Sequence, residues 1–497
     1  MGIVSKTKNI TDVVLNKHNF ALVYISFLLL RSVFFLQIYV DVICKLCLFW
    51  GALIVLCDLF KYKLNFFKTA NSFLPLLLCV SYVVSVALNF DYSLYGGIKN
   101  LMYIGIYFYV LLNIRSEESK EDFYKFIKRN NDVFIAINML IGIASIITFL
   151  FSIKTIYTVG TDAYKVGFWF NRLNGVSNSN METILGFISV ALTIINWQLL
   201  KGKRSKIKIL YIANLIIQAI YYSLSSSRAA TICYFVFAVI VILFWVFPVI
   251  KEKIKTFKAV ACVALCVIVL VGGEMGITKA TQFVMKNSAE AITRLSQLAD
   301  KNPDGDEGDT EFEEEDEEID FDRIEDFENG DLTNNRAGMW TAAFKIIKQY
   351  PVFGMAYSLQ LDDAGNINPK IDASVFDEKD LSALRAAGFY FHSGFVQIIL
   401  CGGLVFFAIF LLFAIKTAFG FIKHLFGRGN YKSRYYPIVV VLFAMIAALL
   451  VDNFVEVHIM FSGQDAAAAA LWYAIGCGLF VIDSEKKTEV STNEEKI

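Results

Sequence analysis

Apolar runs of about 17–25 residues, long enough to cross a hydrocarbon core as helices, recur along almost the whole chain. They predict twelve spans, at approximately 20–38, 42–60, 72–90, 94–113, 132–153, 181–200, 207–223, 229–250, 257–275, 394–415, 435–452 and 465–482. The first run, Phe20 to Val40, is followed at once by another and lacks a small-residue cleavage site, so it reads as a span and not as a signal peptide. The expected fold class is therefore all-α, a polytopic membrane protein of about 12 transmembrane helices. One long interruption, 277–392, separates the ninth span from the tenth. Inside it Trp340, Ala343, Phe344 and Ile347 recur at helical spacing, which predicts an amphipathic helix over 336–350 closed by Tyr350-Pro351. The chain thus divides into nine spans (1–276), a large loop (277–392), three spans (393–484) and a tail (485–497).

Charge orients this pattern. With the N-terminus inside, the inward loops carry Lys61, Lys63 and Lys68; Arg115, Lys120, Lys125, Lys128 and Arg129; Lys201, Lys203, Arg204 and Lys206; Lys251, Lys253 and Lys255; and Lys416, Lys423, Arg428, Lys432 and Arg434. The short outward loops hold only Lys154, Lys165, Arg172 and Arg228. Cytoplasmic loops of bacterial inner-membrane proteins show this excess of Lys and Arg, so both termini are expected in the cytoplasm and the large loop outside. Within that loop Asp304 to Asp331 holds seventeen acidic residues against Arg323, and reads as a self-repelling spacer. The zero net charge of the chain is a product of this block, because the rest has 45 basic and 29 acidic residues (46 less 1, and 46 less 17).

Composition agrees with the runs: 56% of the residues are hydrophobic and 19% charged, too little polar surface to cover a water-exposed globule of this size. The nine cysteines all fall in apolar runs, and Cys44/Cys47 has no second pair to complete a metal site, so they read as small core residues. No cofactor, metal or nucleic-acid partner is expected.

Four polar residues on the expected outer side stand apart. Arg172 lies in Asn171-Arg172-Leu173-Asn174-Gly175, Arg228 in Ser227-Arg228-Ala229 between two spans, Arg336 in Arg336-Ala337-Gly338-Met339-Trp340, and His392 in His392-Ser393-Gly394 where the large loop rejoins the apolar pattern. Arginine outside runs against the orientation bias, and an ionised side chain costs roughly 2.5–3.5 kcal/mol at a span centre. Snorkelling to headgroups, or pairing with Asp452 or Glu456, would explain any one of them. Three with a histidine point to an anionic ligand, because guanidinium groups grip phosphate oxygens through paired hydrogen bonds. Glu182 and Asp452, near span mouths, are alternative bases.

Arg172-Leu173-Asn174-Gly175 with Asn178, Ser227-Arg228-Ala229, Arg336-Ala337-Gly338-Met339-Trp340 with Tyr350-Pro351-Val352-Phe353-Gly354, and His392-Ser393-Gly394-Phe395 with Gly402-Gly403-Leu404 follow one another in an order that resembles the O-antigen ligase and O-antigen polymerase superfamily of bacterial lipid-linked glycan enzymes. The resemblance covers about 170–410 by motif and the remainder by topology. Two positions depart from it: Ala356 stands where a second glycine often follows Gly354, and Ser393 where asparagine often follows the histidine.

The resemblance implies a GT-C-like membrane glycosyltransferase of the bacterial inner membrane, acting on its outer face. Its donor would be an undecaprenyl-diphosphate-linked glycan and its acceptor a glycan or lipid-linked sugar hydroxyl, with membrane lipids around it and a flippase and chain-length regulator as partners. It also implies catalytic roles for His392, Arg228 and Arg336, and diphosphate or glycan binding by Arg172, Arg228, Arg336 and Asn178, without a metal. Polymerase and ligase remain open, and so does a non-enzymatic flippase for the same lipid-linked units. The long outer loop fits a flippase less well than it fits an enzyme.

Overall fold

In a computed structural model the described residues are 10–63, 73–114, 119–159, 162–202, 204–300, 321, 336–356, 367–387, 390–427 and 430–494. The acidic block 304–331, apart from Phe321, lies outside them, as do Lys68, Arg115, Lys203 and Arg428.

The chain is dominated by helices: α1 (Ile10–Val14), α2 (Lys17–Arg31), α3 (Gln37–Tyr62), α4 (Phe73–Leu88), α5 (Phe90–Ile106), α6 (Lys120–Leu150), α7 (Ser179–Leu199), α8 (Ile207–Ser225), α9 (Arg228–Val241), α10 (Phe247–Lys253), α11 (Thr256–Asp300), α12 (Arg336–Gln349), α13 (Glu378–Ala387), α14 (Gly394–Leu425), α15 (Tyr436–Asp452) and α16 (Ala466–Glu494). Among the described residues eight helical stretches are long and apolar enough to cross a membrane, and α4 and α15 are shorter apolar helices. Leu, Ile, Val and Phe cover both the packed and the outward faces of these helices: Leu46, Phe49 and Phe257 are exposed while Leu48 and Ile54 are buried. That is the pattern of a helix whose solvent is lipid.

Three features depart from the expected pattern. The first predicted span, 20–38, is not continuous. α2 stops at Arg31, a 3-10 turn covers Phe34–Leu36, and the chain enters α3. The all-α expectation also misses a small antiparallel sheet between α6 and α7. Its strands β1 (Thr155–Val159), β2 (Asp162–Trp169) and β3 (Arg172–Gly175) pair in the order β1-β2-β3, with a bulge at Gly167/Phe168. Gly167 (φ +98°) and Gly175 (φ +68°) supply left-handed backbone, and a side chain on Gly175 would collide with Ser145 of α6. Finally, α11 continues 25 residues past its predicted span end at 275, to Asp300. At 1.5 Å per residue its 45 residues are about 68 Å long, over twice a hydrocarbon core. Met285 and Ala289 on the extension pack against Phe149, Leu173, Tyr221 and Leu224.

The feature that positions the site is a break in α14. Gly403 has φ +71°, which unwinds the helix within its apolar first half. A break there leaves backbone groups that water cannot reach, so protein must satisfy them. The turn after α12 does so. Met355 N–H donates to Leu400 O (2.8 Å) and Ala356 N–H to Cys401 O (2.9 Å), while Leu404 N–H donates to Pro351 O (2.8 Å) and Val405 N–H to Val352 O (3.2 Å). Buried Ser85 of α4 seals the joint, its hydroxyl donating to Cys401 O (2.9 Å) and accepting from Ala356 N–H (3.0 Å). Ala356, at the place of the second family glycine, adopts φ +54°, a conformation glycine reaches without strain.

Candidate active site

α12 buries Met339, Ala342, Ala343, Ile346 and Ile347 against α13 and the start of α14. Its N-terminal residue Arg336 and Trp340 are four apart and share a face. Trp340 Nε1–H donates to Phe391 O at 2.8 Å, immediately before His392. Arg336 Nη2–H donates to Glu456 Oε1 at 2.7 Å, and His392 Nδ1 lies 3.4 Å from the other oxygen of that carboxylate. One helix face therefore fixes the arginine directly and the histidine through its neighbour. His392 itself has φ +46°, a rare setting for a side chain with a Cβ, held between the Trp340 contact and the Ser393 cap of α14.

Glu456 joins these groups to the next element. Its Oε1 also accepts from Asn180 Nδ2–H (3.0 Å), and Asn180 Oδ1 lies 3.5 Å from Arg172 Nη1. Its backbone carbonyl accepts from Gly394 N–H at 2.8 Å, so the loop 453–465 is anchored to the start of α14. Burial pushes the Glu456 carboxyl up, but the His392 hydrogen bond and the charges of Arg336 and His458 outweigh it. The group is held below the ordinary carboxylate value and stays ionised.

Two residues further on, buried His458 hydrogen-bonds Asp465 Oδ2 through Nδ1 (2.6 Å), and its Nε2 lies 3.7 Å from Asp452 Oδ2. The other oxygen of Asp465 accepts from Ala467 N–H (2.7 Å) at the start of α16. Burial lowers the His458 pKa, yet the charge and hydrogen bond of Asp465, with Asp452 and Glu456, raise it to about 10. A raised folded pKa gives stability that is complete below the ordinary value of about 6.5 and is lost as pH rises towards 10. The melting temperature of the detergent-solubilised protein is expected to fall between pH 7 and 10, and to fall less steeply in His458→Gln. Equal slopes would remove His458 as the source.

These groups surround a cavity of about 350 Å³, within the range of ordinary small-molecule sites. His392, Glu456, His458 and Asp465 line one side; Asn178, Asn180 and Ser177 at the start of α7 line a second; Arg31, Phe34 and Gln37 at the α2–α3 break line a third. Phe34 stacks on Tyr164 of β2, ring centroids 4.6 Å apart, and both face the cavity. Tyrosine rings, amides and paired charges are the surfaces that hold sugars and their polar substituents. Among the described residues no group of three His, Cys, Asp or Glu is arranged to hold a metal.

The structure brings four of the five candidate residues to this place and sets one apart. His392 and Asn178 line the cavity; Arg336 and Arg172 reach lining residues through hydrogen bonds. Asn178 is partly committed to structure, since its Oδ1 caps α7 by accepting from Asn180 N–H (3.0 Å) and Met181 N–H (3.4 Å). Arg228 does not line the cavity. It opens α9 behind the Ser227 cap, at the bundle end that holds Asp452, because Cys233 Sγ–H meets Ala448 O (3.5 Å) about one turn from both. Glu182, an alternative base, is fully buried, accepts from Asn138 Nδ2–H (2.8 Å) and is not part of the cavity lining. Reasoning from sequence treated Glu456 only as a salt-bridge partner and passed over His458, Asp465 and Asn180. The one local signal was the Glu456-Val457-His458 cluster of ionisable groups just after a span.

The O-Antigen ligase family model matches residues 213–411, a stretch that contains Arg228, Arg336 and His392 but neither Arg172 and Asn178 nor Glu456. No curated protein matches the chain. The match covers less than half of the chain: it supports the resemblance to the O-antigen ligase and polymerase superfamily and, with the apolar helices, a multi-pass membrane protein.

Proposed function

We propose that the protein is a membrane glycosyltransferase that takes a glycan from undecaprenyl diphosphate and moves it to an acceptor sugar hydroxyl on the outer face of the inner membrane. In this reading about twelve spans cross the membrane, both termini are cytoplasmic and no metal takes part. The observation that carries it is the Arg336–Glu456–His392 chain at the wall of a polar cavity.

The chemistry follows from the contacts. Glu456 accepts the Nδ1 proton of His392, leaving Nε2 as the basic nitrogen. The acceptor hydroxyl gives its proton to Nε2 and its oxygen bonds the anomeric carbon, while the bond from that carbon to the phosphate oxygen breaks. The lipid diphosphate leaves with both electrons of that bond. The remaining donors of the Arg336 fork, with Arg172, stabilise the charge that develops on it, and Arg228, which lies outside the cavity lining, joins them only as the family resemblance implies. Arg228 at the positive end of α9 adds the helix dipole to its own charge. Asn178 and Asn180 hold the glycan.

The test is a reconstituted transfer assay that follows product length and released lipid diphosphate. Arg228→Lys keeps the charge but loses the planar fork, and one charged hydrogen bond of roughly 1.5–3 kcal/mol corresponds to about a ten- to hundredfold fall in turnover. His392→Ala is expected to retain donor binding and lose transfer. Normal turnover by His392→Ala would sink the base assignment. Passage of lipid-linked glycan across the bilayer with no diphosphate release would identify a transporter.

A further inference from the structure

A second group of cations reaches the same cavity from the α2–α3 break. Arg31, the last residue of α2, donates from Nε to Asp41 Oδ1 (3.1 Å) and from Nη1 to Gln464 O (3.3 Å), and it lines the cavity. Lys45, one turn along α3, pairs with the other oxygen of Asp41 at 2.8 Å. Lys99 of α5, which packs against α3, lies within electrostatic reach of Arg31, Lys45 and Asp41. Asp41 is the one carboxylate in that set, and both of its oxygens are already taken. Three cations against one anion leave a net charge of about +2 among apolar neighbours on α3 and α5, where Tyr39, Val42, Leu46 and Tyr95 are all exposed.

A surplus of that size within apolar surroundings is costly unless an anion completes it. Water-borne anions would meet it from the cavity. A lipid phosphate would meet it from the side, because Lys45 is half exposed (53%) among apolar side chains while Arg31 is 28% exposed at the inner edge. The lining of the cavity that Arg31 reaches also carries a polar atom prepared for a ligand: Ser177 is fully buried, lines the cavity, and its Oγ has no hydrogen-bond partner.

We propose that Arg31, Lys45 and Lys99 form a second anion site, taking the phosphate headgroup of a membrane lipid that enters between α3 and α5 and meets the cavity at Arg31. The site is separate from the Arg336–Glu456–His392 network and does not depend on the reaction assigned to it. Arg31 offers a planar fork to two phosphate oxygens, and the two lysines act as point charges on the lipid side. Phosphate chemistry is shared by a polyprenyl diphosphate and an ordinary anionic phospholipid, so the test separates the two.

Full-length protein in phosphatidylcholine nanodiscs, doped with either phosphatidylglycerol or a polyprenyl diphosphate, is released and its retained lipid is weighed by native mass spectrometry. Lys45→Gln/Lys99→Gln is the main variant, since it leaves the cavity lining untouched; Arg31→Gln is the second, and Lys208→Gln, distant on α8, is the control. Retention of polyprenyl diphosphate is expected to fall at least tenfold in the double variant and in Arg31→Gln, and not in the control. A fall for phosphatidylglycerol alone would assign the site to phospholipid headgroups. Unchanged retention of both lipids in the double variant would overturn the proposal, whatever the transfer assay shows.

Discussion

Glu456→Gln is expected to lower turnover about a hundredfold while leaving the protein folded and its lipid-linked donor bound. The carboxylate receives Arg336 at 2.7 Å and Asn180 at 3.0 Å on one oxygen and faces His392 at 3.4 Å on the other. An amide of the same shape keeps one acceptor oxygen, loses the negative charge and turns a donor towards a histidine nitrogen or an arginine. Two charged hydrogen bonds, each worth roughly 1.5–3 kcal/mol, are weakened together, and a hundredfold corresponds to only about 2.7 kcal/mol of their sum. Glu456→Asp retains the charge with a shorter reach and should recover part of the rate.

The pH dependence separates this role from simple destabilisation. Because the Glu456 carboxyl is depressed, it contributes stability that is fully present above the ordinary value of about 4.5 and is lost only as pH falls through its lower folded value. At neutral pH the wild type loses nothing from this group, so a Glu456→Gln defect at pH 7 reports the loss of the carboxylate itself. If Glu456→Gln turns over at the wild-type rate, His392 is not oriented by this carboxylate and the dyad is wrong. If both Gln and Asp variants fail to fold, Glu456 is a structural buttress between loop and bundle.

Gly403→Ala is expected to destabilise the protein strongly. The glycine sits at φ +71°, and an added Cβ would lie 2.2 Å from Val352 O and 2.4 Å from Val352 C. Both atoms are backbone, and both belong to the turn that pairs with the broken helix, so neither can swing aside. Left-handed strain and overpacking together amount to roughly 2–5 kcal/mol. Relief would require the 350–356 turn to leave α14, which would strip partners from the backbone groups around Cys401. Gly420→Ala on the same helix meets nothing within 4 Å and should be neutral or slightly stabilising. Thermal unfolding in detergent, followed by size-exclusion fluorescence, compares the two. Equal melting temperatures would mean that the break is not closed by this turn. Because α12 carries Arg336 and Trp340 and leads directly into the turn, Gly403→Ala should also reduce activity beyond its effect on stability.

The apolar runs, read residue by residue, were enough to mark most of the long apolar helices. Whether a stretch such as Tyr436–Asp452 forms an apolar helix depends on its own composition, because a backbone in lipid must bond within itself. The same holds for α12, whose Trp340, Ala343, Phe344 and Ile347 carry helical spacing in the sequence alone, although Phe344 is exposed in the fold. Arg336 and His392 stand out in the sequence because they fall in short ordered motifs on the expected outer side, and the fold sets both against Glu456. Trp340 shows the limit: its spacing marked it as a core residue of a helix, yet only the fold reveals that its indole holds Phe391, 51 positions away.

What the tertiary structure alone decided are the pairings between distant segments. Glu456 follows the eleventh predicted span and meets Arg336 across 120 positions and Asn180 across 276, with no periodicity to announce either contact. Gly403 stands in the Gly402-Gly403-Leu404 motif, but its left-handed backbone makes sense only with Val352 against it. Arg31 falls inside the predicted span 20–38. The helix stops there in the fold, where Arg31 meets Asp41 and Gln464 at the edge of the cavity. Hydropathy is a sum over neighbours in the chain and survives without a fold, whereas an ion pair or a broken helix is stable only when a partner from elsewhere arrives to satisfy it.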